Sequence, residues 1–246
     1  MHILIFHKIT TKLKEKDIFG KALEAYFYNQ KKQVLTTWTN LTEEDDVPLS
    51  YFFRDYKQMP KIEKKALDLA KGRVLDVGCG SGSHSLYLQN HKKLNVTALD
   101  ISEGSIKVAQ KRGVSQTKCA SIWDFQNQKF DSILMLMNGM GIGKSIKKLP
   151  LLINHLKSLL TPEGSIFVDS SDLIYLFDEE DIALWKKDEE YYGEINYGIR
   201  FENETEEFSW LYVDPRELKK ACIKSGLNFK IIEKGPNFDY LAKLTF

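Results

Sequence analysis

Apolar and polar positions along this chain fall into runs whose period changes, and the changes mark its elements. Val74-Leu75-Asp76-Val77 is a short apolar run holding one acid, with Gly72 and Arg73 at its start, and it predicts a buried strand. Residues 83–89 turn helical, with Leu86 and Leu88 among the apolar positions. Val96 to Asp100 predicts a second strand, and Glu103 to Arg112 a helix capped by Ser102 with Gly113 beyond it. Thr117 to Ser121 reads as a third strand. Phe130 to Met137 is almost continuously apolar, as a fully buried parallel strand should be. Leu149 to Leu160 predicts an amphipathic helix, 161–164 a turn, and Ser165 to Asp169 a fifth strand.

The flanks are patterned too. Asp17 to Gln33 predicts a helix with Asp17 as its cap and Phe19, Leu23, Tyr26 and Phe27 on one face. Residues 42–46 (Thr-Glu-Glu-Asp-Asp) read as an acidic loop closed by Pro48. Pro60 opens a helix to Ala70 that buries Ile62, Ala66, Leu67 and Leu69. Tyr191 to Phe201 and Phe208 to Val213 both alternate around Asn203-Glu204, a hairpin pattern. Asp214-Pro215 begins the last helix and Gly226 stops it. Two strands, 229–233 and 239–244, follow around Gly235-Pro236-Asn237.

The chemistry concentrates at the first strand's end. Gly78, Gly80 and Gly82 alternate there, and glycine lets a ligand approach main-chain N–H groups closely. A strand, a glycine turn and a helix N-terminus make a cofactor cradle at the edge of a parallel sheet. Asp100 ends the next strand about 20 residues on, where an acid reaches the two hydroxyls of a ribose. Two features separate this loop from a dinucleotide fingerprint. Ser83 stands where that fingerprint wants its last glycine, and Asp76 where it keeps an apolar residue. An acid there suits a ligand with an amine or positive charge rather than a pyrophosphate.

Asp76-Val77-Gly78-Cys79-Gly80-Ser81-Gly82, followed by Leu99-Asp100-Ile101-Ser102, resembles the class I S-adenosylmethionine (SAM) dependent methyltransferases. The resemblance implies an α/β fold: a Rossmann-like, doubly wound, seven-stranded sheet with a terminal antiparallel strand. To this the chain adds N-terminal helices and an inserted β-hairpin. It implies SAM as cofactor, lying across the carboxyl ends of the first strands. Residues 1–246 are expected to form one methyltransferase domain. Within it, 1–71 would be an N-terminal helical cap, 72–173 the SAM-binding half, 174–214 the inserted hairpin and 215–246 the C-terminal helix and strands. Asp76 and the Gly78–Gly82 backbone would hold the methionine end, Asp100 the ribose, and Ile101 would pack on adenine.

The family usually carries an acid near the start of the loop after the third strand, to meet the adenine amino group. Ser121 occupies that place here, with Ile122, Trp123 and Asp124 after it. Either Ser121 substitutes or Asp124 reaches in, with Trp123 beside the base. Met137 and Asn138 end the central strand at the mouth of the site, where Asn138 offers both a donor and an acceptor. Arg54 is the one strong cation among the aromatics of 51–56. It either forks onto the methionine carboxylate of SAM or pairs with a nearby acid on the surface.

Methyl transfer from a sulfonium is an in-line displacement in which the cofactor supplies the activated methyl, so no fixed catalytic residue is required. A base can help a nitrogen or hydroxyl acceptor, and His84, Asp169 and Asp172 stand near strand ends; His84 reads rather as an orienting or structural residue. Two alternatives remain open: a protein that binds SAM without transferring methyl, and a nicotinamide-dependent oxidoreductase, which Asp76 and Ser83 disfavour.

Composition narrows the partners. The chain has 246 residues, is 43% hydrophobic and carries a net charge of +1, so no global field draws it to nucleic acid or to a membrane. Residues 174–214 are strongly acidic, and no Asn-Pro-Pro-Tyr signature occurs, so a nucleic-acid or protein-amide methylase is disfavoured. A small-molecule acceptor is expected. The hairpin is expected to form part of the pocket wall or a contact between subunits, as in a homodimer. Three scattered cysteines make neither a disulfide framework nor a metal site, and a reducing cytoplasm fits them best. The apolar start, 1–7, is too short for a signal peptide.

Overall fold

The structure is a computed structural model that describes residues 16–28, 34–178 and 191–246. The long apolar run of the sequence becomes its central strand. Strand β6 (Phe130–Met135) lies between β3 (Arg73–Val77) and β7 (Leu160–Ser171). Beyond β3 come β4 (Asn95–Asp100) and β5 (Thr117–Cys119), and beyond β7 come β11 (Asp239–Thr245) and β10 (Asn228–Lys234). Only β11 runs against the others, pairing antiparallel with both β7 and β10. This is the expected seven-stranded sheet.

Alternation along β3 shows why both faces are apolar. Val74 packs with α2 (Lys61–Leu69) and α3 (Ser83–Asn90), while Leu75 and Val77 face α5 (Leu149–Ser158) and α6 (Pro215–Lys224). Leu75, Ile133, Leu134 and Phe167 are fully buried, each contributing on the order of 1.5–3 kcal/mol of transfer free energy. Chain order runs outward from β3 to β5 and then returns to β6 on the other side of β3. The loop after β3 therefore sits at the topological switch point, where an open parallel sheet forms its ligand crevice.

A second sheet, entirely antiparallel, has the order β2-β1-β8-β9. Its strands are β1 (Val34–Thr39), β2 (Asp45–Pro48), β8 (Glu194–Phe201) and β9 (Glu204–Leu211). The expected hairpin is β8–β9, with its turn at 202–203, one residue earlier than the pattern suggests; Glu202 takes the positive φ. Strand β1 pairs with β8, so the N-terminal segment and the hairpin share one sheet. Helix α1 (Ile18–Phe27) packs against it through Ile18, Ala22, Leu23 and Ala25, with Leu35, Ile199 and Phe201 opposite. The remainder of the predicted first helix, 29–33, lies outside the described residues, as do the chain start and 179–190.

Several local expectations need correction: Leu69, expected on the buried face of α2, is 41% exposed, and the strand expected over 130–137 ends at Met135. The acidic loop is half strand: Asp45–Pro48 forms the outer strand β2, where charged side chains suit an edge, and Thr36 Oγ1 donates to Asp46 at 2.7 Å. The turn expected at 161–164 is a bulge within β7. Phe130 pairs with Leu160 but Ser132 with Ser165, so the intervening residues loop out without ending the strand.

Candidate functional site

The crevice at the carboxyl edge is built from the turn after β3. Gly78 N–H and Cys79 N–H both donate to Leu99 O, at 2.8 and 3.1 Å, which folds the turn across the end of β4. Gly78 has φ +71°, and a Cβ placed there would meet nothing within 4 Å: the loop faces open space. Gly82 serves the other side. Its φ is +83°, and a Cβ would come within 2.7 Å of Val114 and 3.1 Å of Ala109, so only glycine lets the turn lie on helix α4 (Glu103–Lys111). Gly80 N–H donates to Asp100 Oδ2 at 2.8 Å, and Ser102 N–H to Asp100 Oδ1 at 2.9 Å. One carboxylate thus fixes the glycine loop and the loop after β4. Burial raises the Asp100 pKa to about 6 against these two N–H bonds, which lower it. Asp76, buried on β3, accepts a hydrogen bond from Ser85 Oγ at 2.6 Å.

Other predicted residues ring the same edge. Ile101 is 65% exposed directly after Asp100, a large apolar side chain left without a cover. After β5, Ser121 Oγ accepts from Trp123 N–H at 3.3 Å, Trp123 is exposed, and the Ile122 side chain turns into the core. Ile122 therefore offers the crevice only its backbone. Asp124 is exposed at the end of this short turn. After β6, Met137 and Asn138 take φ +58° and +57°, two consecutive non-glycine residues in left-handed backbone. Asp169, buried at the end of β7, holds them there, accepting Met137 N–H at 3.0 Å and Asn138 N–H at 2.7 Å. Burial lifts the Asp169 pKa to about 7 despite those bonds. Both of its oxygens are engaged, which makes Asp169 an anchor of this turn. Asp172 likewise accepts Ile174 N–H and the Tyr192 hydroxyl.

Arg54 is neither on the surface nor free. It is buried, donates to Tyr51 O and Glu63 Oε1, and lies 3.9 Å from the centroid of the Tyr51 ring. Glu63 Oε2 meets His84 Nε2 at 2.7 Å, so one carboxylate bridges a guanidinium and an imidazole. Burial pushes Glu63 up, but His84 and Arg54 overcome it and hold it below the usual carboxylate range. Burial pushes His84 down, but the bond to Glu63 and the nearby Asp76 raise it above the usual value. Glu63 gave no motif in the sequence; only its place on the buried face of α2 could have marked it. Arg112 was equally silent. Its guanidinium donates to Ser81 O at 2.8 Å, Ser81 Oγ at 2.5 Å and Ser83 Oγ at 3.0 Å.

The crevice fits SAM. Gly78 leaves room above the loop, Asp100 carries spare acceptor positions for two hydroxyls, and Ile101 presents a bare apolar face. The Nε of Arg54 is buried without a partner. A shallow apolar depression lined by Lys129, Leu160, Thr161, Pro162 and Phe246 lies at the opposite, amino edge of the sheet and gathers none of these groups. Among the described residues no three metal-ligating side chains cluster, and no helix is long and apolar enough to cross a membrane.

Comparison with known proteins agrees with this geometry. Residues 74–164 match a family described as a methyltransferase domain. No curated protein matches the chain. Among solved structures, a SAM-dependent methyltransferase from Bacteroides fragilis, in complex with S-adenosyl-L-homocysteine, is 39% identical over 94% of each chain, with a TM-score of 0.84. Two others share only the fold. A SAM-dependent methyltransferase from Clostridium acetobutylicum is 16% identical over 80% of this chain and 94% of its own, at TM-score 0.53. A sugar N-methyltransferase from Streptoalloteichus is 15% identical over 79% and 87%, at TM-score 0.51. The chain belongs to the SAM-dependent methyltransferases, and SAM is its cofactor.

Proposed function

We propose that the protein transfers the methyl group of SAM to a small-molecule acceptor held between the carboxyl edge of the main sheet and the second sheet. The observation that carries this reading is the position of β9. A Cβ on Gly141 would lie 1.9–2.3 Å from the Trp210 ring, so the indole sits flat on the turn that follows β6. Val213 N–H, just beyond β9, donates to Ser170 Oγ at the end of β7 at 3.0 Å. The hairpin thus walls the edge where a methyl group would leave, and a walled crevice suits a compact acceptor better than a polymer. The near-neutral charge supports the same class.

In this reading Asp76 and the Gly78–Gly82 backbone receive the methionine end. Arg54, through its unpartnered Nε, receives the carboxylate of that end, and Asp100 the ribose. Ile101, Ser121, the Ile122 backbone and Trp123 surround the adenine, and Met137 and Asn138 border the methyl group. SAM brings the activated methyl; the chain aligns the acceptor for in-line attack and keeps water out. The partition into a cap (1–71), a SAM-binding half (72–173), a hairpin (174–214) and a C-terminal segment (215–246) follows these roles. The three free cysteines suit a reducing cytoplasm.

The test is incubation with methyl-labelled SAM and a cell extract separated by size. Label in the low-molecular-mass fraction, absent with Asp100→Ala, supports the reading. Label in protein or nucleic acid contradicts the acceptor class, and a protein that binds SAM but labels no fraction favours cofactor binding without transfer.

A further inference from the structure

We propose that Arg112 is a positioning residue for the cofactor: it locks the glycine loop and the aromatic turn of the N-terminal cap into one unit. The inference rests on the glycine loop being the SAM cradle. Arg112 caps the carboxyl end of α4, and its Nη1 lies within bonding distance of three acceptors on the loop, Ser81 O, Ser81 Oγ and Ser83 Oγ. The two serine hydroxyls donate onward to Phe52 O, Ser83 at 3.1 Å. Nη2 reaches Phe53 O at 3.4 Å, and the guanidinium stands 5.0 Å from the Phe53 ring centroid. Phe52 and Phe53 close the short helical turn 49–53. The hydrogen bonds recorded for its Nη1 and Nη2 go to the loop and the cap.

The amino end of α4 is tied to the cap as well. Asp17 caps α1 through Gly20 N–H at 3.0 Å and also accepts Gly104 N–H at 2.8 Å. Helix α4 is therefore a splint, fixed to the cap at both ends, with the Asp100 loop at one end and the glycine loop at the other. A forked, planar donor is needed to satisfy acceptors on two segments at once; an ammonium cannot span them in the same way. Removing the fork frees the loop before the cofactor arrives, and binding must then order it.

The experiment is calorimetric titration of wild type, Arg112→Met and Arg112→Lys with S-adenosyl-L-homocysteine, with the melting temperature of each free protein and amide exchange over 49–54 in the bound state. The expected result is about tenfold weaker binding for R112M, an intermediate value for R112K, and faster bound-state exchange over 49–54 in both. A purely structural arginine would lower the melting temperature and leave affinity within about twofold, which overturns the proposal. If R112M does not fold, R112K decides alone by the same twofold limit. Wild-type protein that binds no S-adenosyl-L-homocysteine overturns the cradle reading and this one with it; wild-type binding with unimpaired variants overturns this one only.

Discussion

Cofactor binding should depend on pH through Asp100, and the size of the effect follows from its surroundings. In the free protein burial raises this carboxyl to about 6. When the two ribose hydroxyls donate to it, the ionised form gains partners, and its pKa should fall back to about 4, the value of an unperturbed aspartate. The sign follows: the ligand prefers the ionised form, so affinity is nearly full above about pH 7, about half that near pH 6, and declines further as pH falls. At pH 5 the free protein is ionised at Asp100 in about one molecule in eleven, and the complex in about ten in eleven. Binding of S-adenosyl-L-homocysteine should therefore be about tenfold weaker at pH 5 than at pH 8, or about 1.4 kcal/mol, with a proton released on binding near pH 5. Calorimetry in buffers of different ionisation enthalpy reads both quantities. Asp169 also titrates in this range, to about 7, and Asp100→Asn separates the two: it should bind more weakly at pH 8 and lose the Asp100 component. An affinity that is flat between pH 5 and 8, or a pH dependence unchanged in D100N, would refute the assignment of Asp100 to the ribose.

Three further outcomes concern the scaffold. Glu63→Gln strands a buried guanidinium and a buried imidazole, so it should cost about 3–5 kcal/mol in denaturant unfolding. In wild type the Glu63–His84 pair contributes fully between about pH 4.5 and 6.5. The contribution fades as pH falls through the lowered pKa of Glu63 or rises through the raised pKa of His84, and an unfolding series across pH should show both flanks. Gly104→Ala places a Cβ 2.6–2.7 Å from the Gly20 backbone, which cannot yield as a side chain can. The α1–α4 crossing should open at a cost of about 1–3 kcal/mol, read as a lower denaturant midpoint.

The main sheet was legible because its signals are local. The run at 130–137 is apolar on both faces, the glycines at 78, 80 and 82 sit on a strand end, and Ser102 and Asp214 cap their helices as their residue types predict. The second sheet was only half legible. Alternation at 191–213 shows a hairpin, but nothing in Val34–Thr39 announces that its partner is Glu194–Phe201, about 160 residues away. Pairing over that distance is decided by the packing of α1 beneath both strands.

The site divides in the same way. Asp76, the glycines and Asp100 follow from spacing along β3 and β4. Arg54 stands out in the sequence as a cation among aromatics, but nothing in the sequence marks its partner Glu63, an acid in the first turn of α2. No motif surrounds Arg112, and only the three-dimensional approach of Ser81, Ser83 and Phe53 supports the role proposed for it. Ile122 shows the reverse: Trp123 beside it is exposed, while its own side chain belongs to the core.

The measurement that tests the central claim most directly is a crystal structure with S-adenosyl-L-homocysteine. The account predicts the ligand over Gly78–Gly82, its ribose hydroxyls on Asp100, its adenine between Ile101 and Trp123, and its sulfur facing Met137 and Asn138 beneath the second sheet. A ligand seated elsewhere, or one whose ribose makes no contact with Asp100, would contradict it.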